Sequence, residues 1–199
     1  MSPLRLNLGS GSTRIAGFTN VDLNAAEDVD VVADVRELPY FDSSVAEIYA
    51  SHILEHIDYD YPVLEEWARV LVPGGLLTVS VPDPVATYYA WKHESARWGP
   101  PEDSHPVDLQ YVNACCFGGF VLGGVYDNPG QYHRQVFFFD MLVERMRPLF
   151  PDAVQVAGCV LGADRAGVDA QVAVGSWTCE TTVQGHNGKR YWTRRKWAR

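Results

Sequence analysis

Long apolar runs are missing from this chain. None approaches the ~20 residues of a membrane-spanning helix, and the start, Met1-Ser2-Pro3-Leu4-Arg5, lacks the pattern of a secretion signal. The chain therefore reads as soluble and cytoplasmic. Cysteine is scarce: Cys115, Cys116, Cys159 and Cys179 form no C-x-x-C, and the one close pair is adjacent. That suits neither a disulfide framework nor a zinc knuckle, so reduced, mostly buried thiols are expected. Positive charge is in deficit. A formal net charge of −9 argues against a protein that grips nucleic acid through phosphates. The exception is Lys189–Arg199, with six cations and three aromatics in eleven residues. Such a tail could touch RNA or an anionic lipid, but more often it is a solvated terminus or packs on its own acidic domain.

What is present suits one domain: 199 residues, 47% hydrophobic, can bury a core without disulfides or metals. No internal repeat is visible. Strand signals fall at Leu4–Leu8, Phe18–Asp22, Val29–Ala33, Glu47–Ser51 and Leu76–Val81. Asp60 is expected to cap a helix carrying Pro62, Val63, Leu64, Trp67, Val70 and Leu71, which Pro73-Gly74-Gly75 stops. Residues 83–134 break the rhythm. They are rich in Tyr, Trp, His, Gly and Pro and read as a partly helical insert, a lid over the sheet. A helix resumes at Asp140–Phe150, and Val154–Val160 with Val168–Trp177 should pair as a hairpin. The expected fold is α/β: a Rossmann-like, mostly parallel seven-stranded sheet flanked by helices and closed by an antiparallel C-terminal hairpin. Residues 1–183 would form the domain and 184–199 the basic aromatic tail.

Three features fall at successive strand ends. Gly9-Ser10-Gly11 follows the first strand, where backbone can approach a ligand closely. Asp22 ends the second, where a Rossmann-type site binds ribose hydroxyls, and Asp34 follows the third. Each alone could be a tight turn or a cap; together they point to one crevice. The dinucleotide fingerprint is absent, since Arg14 stands where the third glycine would be. Gly9 to Asp22 spans thirteen residues, against about 20 in that motif.

Leu6-Asn7-Leu8-Gly9-Ser10-Gly11, Asn20-Val21-Asp22, Ala33 to Tyr40, Ile48 to Ile57 and Arg69 to Gly75 resemble the successive motifs of the type 11 branch of class I methyltransferases, over about residues 4 to 82. The resemblance implies S-adenosyl-L-methionine as cofactor and a small or medium-sized methyl acceptor. It implies that Leu8, Gly9, Ser10 and Gly11 border the methionine part, that Asp22 holds the ribose and that Leu23 packs on the adenine. Asp34 would accept from the adenine amino group and the Val35 amide donate to its ring. Ser51 and His52 would border the methionine amine and the methyl. Thr13 or Arg14 would partner the cofactor's carboxylate.

A sulfonium methyl needs little beyond alignment, but a hydroxyl acceptor can require a base, and histidine suits the task. His52, His56, His93, His105 and His133 are candidates. His133, in Tyr132-His133-Arg134, resembles a His-Arg pair found before the late helix in some relatives and is the expected base, with His52 beside the methyl; a structural hydrogen bond is the other reading of His133. The insert's aromatics suit a ring-bearing or sugar-like acceptor, ordinary lid packing, or a homodimer interface. No Asn-Pro-Pro-aromatic string of the kind that marks nitrogen methylation is present, which favours oxygen.

Three rivals remain. His52-Ile53-Leu54-Glu55-His56 fits the H-x-x-E-H string of zinc metallohydrolases, in which two histidines share a helix face beside a glutamate. It follows a strand rather than lying in a long helix, and only Glu102 or Glu144 offers itself as a third ligand, so no metal is expected. The others are a non-catalytic S-adenosylmethionine-binding module and an NAD-linked oxidoreductase, the latter disfavoured by the missing glycine.

Overall fold

Residues 3–92, 97–98, 105–106, 109–118, 120–121, 124–125, 132–156 and 180–188 are described by the computed structural model. Strands β1 (Arg5–Leu8), β2 (Thr19–Asp22), β3 (Val31–Val32), β4 (Val45–Ser51), β5 (Leu71–Pro82), β6 (Val154–Val156) and β7 (Glu180–His186) form one sheet. Its order is β6-β7-β5-β4-β1-β2-β3. The first five strands pair in parallel, whereas β7 runs antiparallel between β5 and β6.

Interior strands of a parallel sheet are covered on both faces and so read as continuous burial rather than alternation. In β1, Leu6, Asn7 and Leu8 are all buried. Asn7 is tolerated there because its amide donates to Asn20 Oδ1 at 2.9 Å and to the Thr13 carbonyl at 3.0 Å. Helix α1 (Val63–Val70) lays Val63, Leu64, Trp67, Ala68 and Val70 against the sheet. Its N-cap is Pro62 with no side-chain cap bond, so Asp60 does not cap it; proline's fixed φ starts the helix instead. The Trp67 indole donates to the Val35 carbonyl at 3.0 Å. Helix α4 (Phe139–Met146) buries Leu142, Val143 and Met146.

The insert begins with α2 (Pro84–Lys92), whose first turn is held by the Asp83 carboxylate accepting from the Val85 amide at 2.9 Å. It packs against α3 (Leu109–Phe117). Among the described residues no helix is long and apolar enough to cross a membrane.

The closing strand differs from expectation. Val154–Val156 pairs antiparallel with Glu180–His186, Val154 opposite Gln184; Val168–Trp177 lies outside the described residues, as does 189–199. Residues 184–186, set in the tail by composition, end a strand that pairs with β5 from Pro82 to Leu76. Gly185 looks like a tail residue, yet a Cβ there would sit 2.8 Å from the Phe150 Cβ. The strand carries glycine because Phe150 and Ala153, in the segment that follows α4, pack directly on it.

Candidate functional site

The turn after β1 is shaped by two glycines with left-handed backbone, Gly9 at φ 65° and Gly11 at φ 51°. They face different surroundings. A Cβ on Gly9 would meet Ile53 carbons at 2.8 to 3.0 Å, whereas one on Gly11 would meet nothing within 4 Å. Asp22 closes the loop: Oδ2 accepts from the Gly11 amide at 2.9 Å and Oδ1 from the Asn24 amide at 2.9 Å. Ser10 is buried, with a side-chain oxygen that has no partner among the described residues. Leu8 is fully buried in the core, so only its main chain can face a ligand. Leu23, next to Asp22, is 61% exposed.

Of the two residues expected to partner a carboxylate, Thr13 is an exposed residue of this loop and Arg14 is engaged elsewhere. The Thr13 amide donates to the Ser10 carbonyl at 2.8 Å. Arg14 turns to Asp30 Oδ1 at 2.7 Å and the Asp28 carbonyl at 3.3 Å. Its long guanidinium stem finds a fixed anion there: Asp30 also accepts from the Asn20 amide, and that bond, with Arg14, lowers the Asp30 pKa. Asp34 is likewise engaged. Arg36 grips it through Nε at 2.9 and 3.0 Å and Nη2 at 2.6 Å, with the Arg36 amide at 2.9 Å. The guanidinium bonds hold the carboxylate below its ordinary pKa. Val35 beside it is fixed by its carbonyl bond to Trp67.

A second group forms where β4 ends. Ser51 lies opposite Ser80; His52 then takes the left-handed region at φ 53°, its amide donating to the Ser80 carbonyl at 3.0 Å. Leu54–His56 is one 3-10 turn with Leu54 and Glu55 buried. The H-x-x-E-H string therefore does not set two histidines on one helix face, since His52 stands outside the turn. Its Nδ1 lies 3.2 Å from Glu55 Oε1. Glu55 is 1% exposed, and its Oε2 has no partner among the described residues.

The return of the insert docks on this turn. The Arg134 and Gln135 amides donate to the Glu55 carbonyl at 2.7 and 3.3 Å. The Gln135 side chain donates to the Leu54 carbonyl at 3.1 Å and to that of Ile57. Arg145 on α4 braces it, reaching Gln135 Oε1 at 2.6 Å and the Tyr59 carbonyl at 3.0 Å. Burial lowers the Arg145 pKa. His133 is thereby brought edge-on to His56, ring centroids 5.0 Å apart. Glu55, His56 and His133 each offer a ligand atom, all within 4.8 Å of one another. The trio leaves out His52, so it is not the ligand set of the H-x-x-E-H string. Glu144 is exposed on α4 and does not join the trio; Glu102 and the side chains of His93 and His105 lie outside the described residues.

Ile53, Asn24, Arg36, Gln135 and Arg145 were not anticipated from sequence. Only Arg36 carries a local signal, two residues after an acid; the others depend on which loops meet.

Residues 10–79 match the family model described as the methyltransferase domain. No curated protein matches the chain. Among solved structures, a Thermotoga maritima S-adenosylmethionine-dependent methyltransferase is 13% identical at a TM-score of 0.51, covering 95% of this chain and 83% of that one. A chain from the Haloferax volcanii complex of the Trm112 methyltransferase activator with a methyltransferase is 14% identical at 0.50, covering 94% and 83%. Phosphoethanolamine N-methyltransferase 2 of Haemonchus contortus, solved with S-adenosyl-L-methionine, is 12% identical at 0.50, covering 94% of this chain and 49% of that one. At these identities the likeness is one of fold.

Proposed function

We propose that this chain is a class I S-adenosylmethionine-dependent methyltransferase, a reading supported by the methyltransferase-domain match over residues 10–79 and by the likeness of fold, and that it methylates a hydroxyl of a small or medium-sized acceptor held beside Ser51, His52 and His133. The observation that carries the cofactor half is the loop of Gly9, Ser10 and Gly11: backbone open above Gly11, a buried Ser10 hydroxyl without a partner, and Asp22 closing it. These residues fit a ligand with amino-acid and ribose parts and no pyrophosphate. Gly9–Gly11 would face the methionine part, Asp22 the ribose, Leu23 the adenine face, and Asp34 with the Val35 amide the adenine edge. When bound, S-adenosyl-L-methionine supplies a methyl group already activated by its sulfonium.

The protein's remaining task is alignment, which can contribute about 7–11 kcal/mol. Ser51 ends β4 and His52 follows it, beside the glycine loop, since Ile53 packs on Gly9. His133 activates the acceptor hydroxyl and His52 positions it. The oxygen acceptor is supported by the imidazole–carboxylate group at that end of the site and by the absent Asn-Pro-Pro-aromatic string.

Calorimetry with S-adenosylmethionine, S-adenosylhomocysteine and NAD tests the cofactor half. The first two should bind and NAD should not. Asp22→Ala should weaken binding by about 1–3 kcal/mol, the cost of leaving polar partners unpaired; normal binding in that variant removes Asp22 from the site. An acceptor screen read as S-adenosylhomocysteine release tests the rest. On a confirmed acceptor, His133→Ala should retain cofactor affinity and lose about 10²–10⁴-fold in turnover. Turnover near that of the unaltered protein excludes His133.

A further inference from the structure

We propose that Glu55, His56 and His133 form a site for one divalent transition metal of the zinc type, open on the acceptor side. The donor set is two imidazoles and one carboxylate, with three protein ligands leaving a position for water or substrate. Their ligand atoms lie within 4.8 Å of one another. A common point therefore exists no more than about 2.8 Å from each, against roughly 2.0–2.2 Å for zinc bonds, so small side-chain rotations close the shell.

Two features independent of that spacing point to a cation. Glu55 is almost fully buried, yet Oε2 has no hydrogen-bond partner among the described residues. A buried carboxylate oxygen left bare is costly, and a bound cation removes the cost. The second concerns tautomers. His56 Nδ1 lies 3.3 Å from the Tyr132 carbonyl oxygen, which only accepts, so the proton sits on Nδ1 and the lone pair on Nε2. A metal-binding histidine is usually prepared this way, its other nitrogen donating to a carbonyl or carboxylate. His52 completes the arrangement by donating from Nδ1 to Glu55 Oε1 at 3.2 Å, which orients the carboxylate and leaves the bare oxygen for the ion. His56 and His133 are only half-buried, so the ion would remain reachable.

Metal binding itself does not depend on the methyltransferase reading. Its role does, and there it refines that reading: a hydroxyl coordinated to the ion has a lowered pKa and gives its proton to solvent. The activation assigned to His133 then runs through the ion.

The test uses full-length, chelator-stripped protein titrated with Co²⁺. One equivalent should bind and give visible absorption bands of a four- or five-coordinate ion, and Zn²⁺ should displace it. Glu55→Gln, His56→Ala and His133→Ala should each weaken binding by about 100-fold or more, with S-adenosylhomocysteine affinity retained as the check on folding. His186→Ala, altering an exposed histidine paired with Asp152, should bind Co²⁺ normally. X-ray absorption on the zinc-loaded, unaltered protein should show two imidazoles and oxygen ligands, which covers variants that fail to fold. No stoichiometric binding, ligation by sulfur, or a loss caused by His186→Ala alone overturns the site. S-adenosylhomocysteine binding without Co²⁺ binding sinks the metal site alone; Co²⁺ binding by the trio without S-adenosylhomocysteine binding upholds it and sinks the cofactor assignment.

Discussion

Gly9 and Gly11 share a left-handed backbone but answer to different neighbours. At Gly9 an added methyl costs both the strained conformation and a collision with Ile53, together about 2–4 kcal/mol of stability. At Gly11 only the conformational strain remains, about 1–2 kcal/mol, because the space above it is open. If that space receives cofactor, Gly11→Ala should keep its fold and lose S-adenosylhomocysteine affinity, whereas Gly9→Ala should chiefly lose stability. Urea unfolding and calorimetry on the two variants decide it; unchanged affinity in Gly11→Ala places the ligand elsewhere. Asp22 and Asp34 were legible because strand ends are legible. Arg14 was not: whether it faces a ligand or Asp30 depends on where the β2–β3 connection lies in space. The H-x-x-E-H string presumes a helix, which its place after a strand argued against, and the left-handed residue at His52 donates its amide to Ser80 across the sheet.

Among the elements, β7 shows what patterning can miss. The first five strands lie on the segments that the sequence marks as strands, and the first three end in or lead into glycine or an acid. β7 reads Glu-Thr-Thr-Val-Gln-Gly-His, with too little apolar character to mark a strand, and it is inserted between two strands that precede it. Its end is anchored by Asp152, whose Oδ1 accepts from the His186 amide and Oδ2 from the His186 ring, both at 2.7 Å. These bonds, the ring's first, hold the Asp152 carboxyl below its ordinary pKa of 3.8. A carboxyl with a lowered folded-state pKa favours the folded state above its unfolded pKa, and that contribution is lost as pH falls through the folded value. Asp152→Asn should therefore cost about 1 kcal/mol or less near neutrality, given the pair's exposure. The gap from the unaltered protein should close as pH drops below about 4. Thermal unfolding across pH 2 to 7 measures it, and a gap independent of pH assigns the effect to packing.

For the molecule as a whole, the segment 83–134 leaves the sheet after β5 and returns beside the end of β4. If the candidate site binds the cofactor, a long insert broken by glycine and proline that ends beside it would act as a lid. Hydrogen exchange across it should slow when S-adenosylhomocysteine binds; equal protection with and without ligand makes it a static part of the fold. Its docking point was not legible from composition, because the Gln135 and Arg145 side chains that make it reach main-chain oxygens, which leave no mark in a sequence.

The contacts that seat Arg134 and Gln135 fall on main-chain oxygens of Leu54, Glu55 and Ile57, and Arg145 adds that of Tyr59. Every residue type carries that oxygen. The side chains of Leu54 and Ile57 answer instead to the core in which they are buried, and that of Tyr59 to the Arg145 guanidinium 4.7 Å from its ring, so packing and attachment are separate demands on one turn.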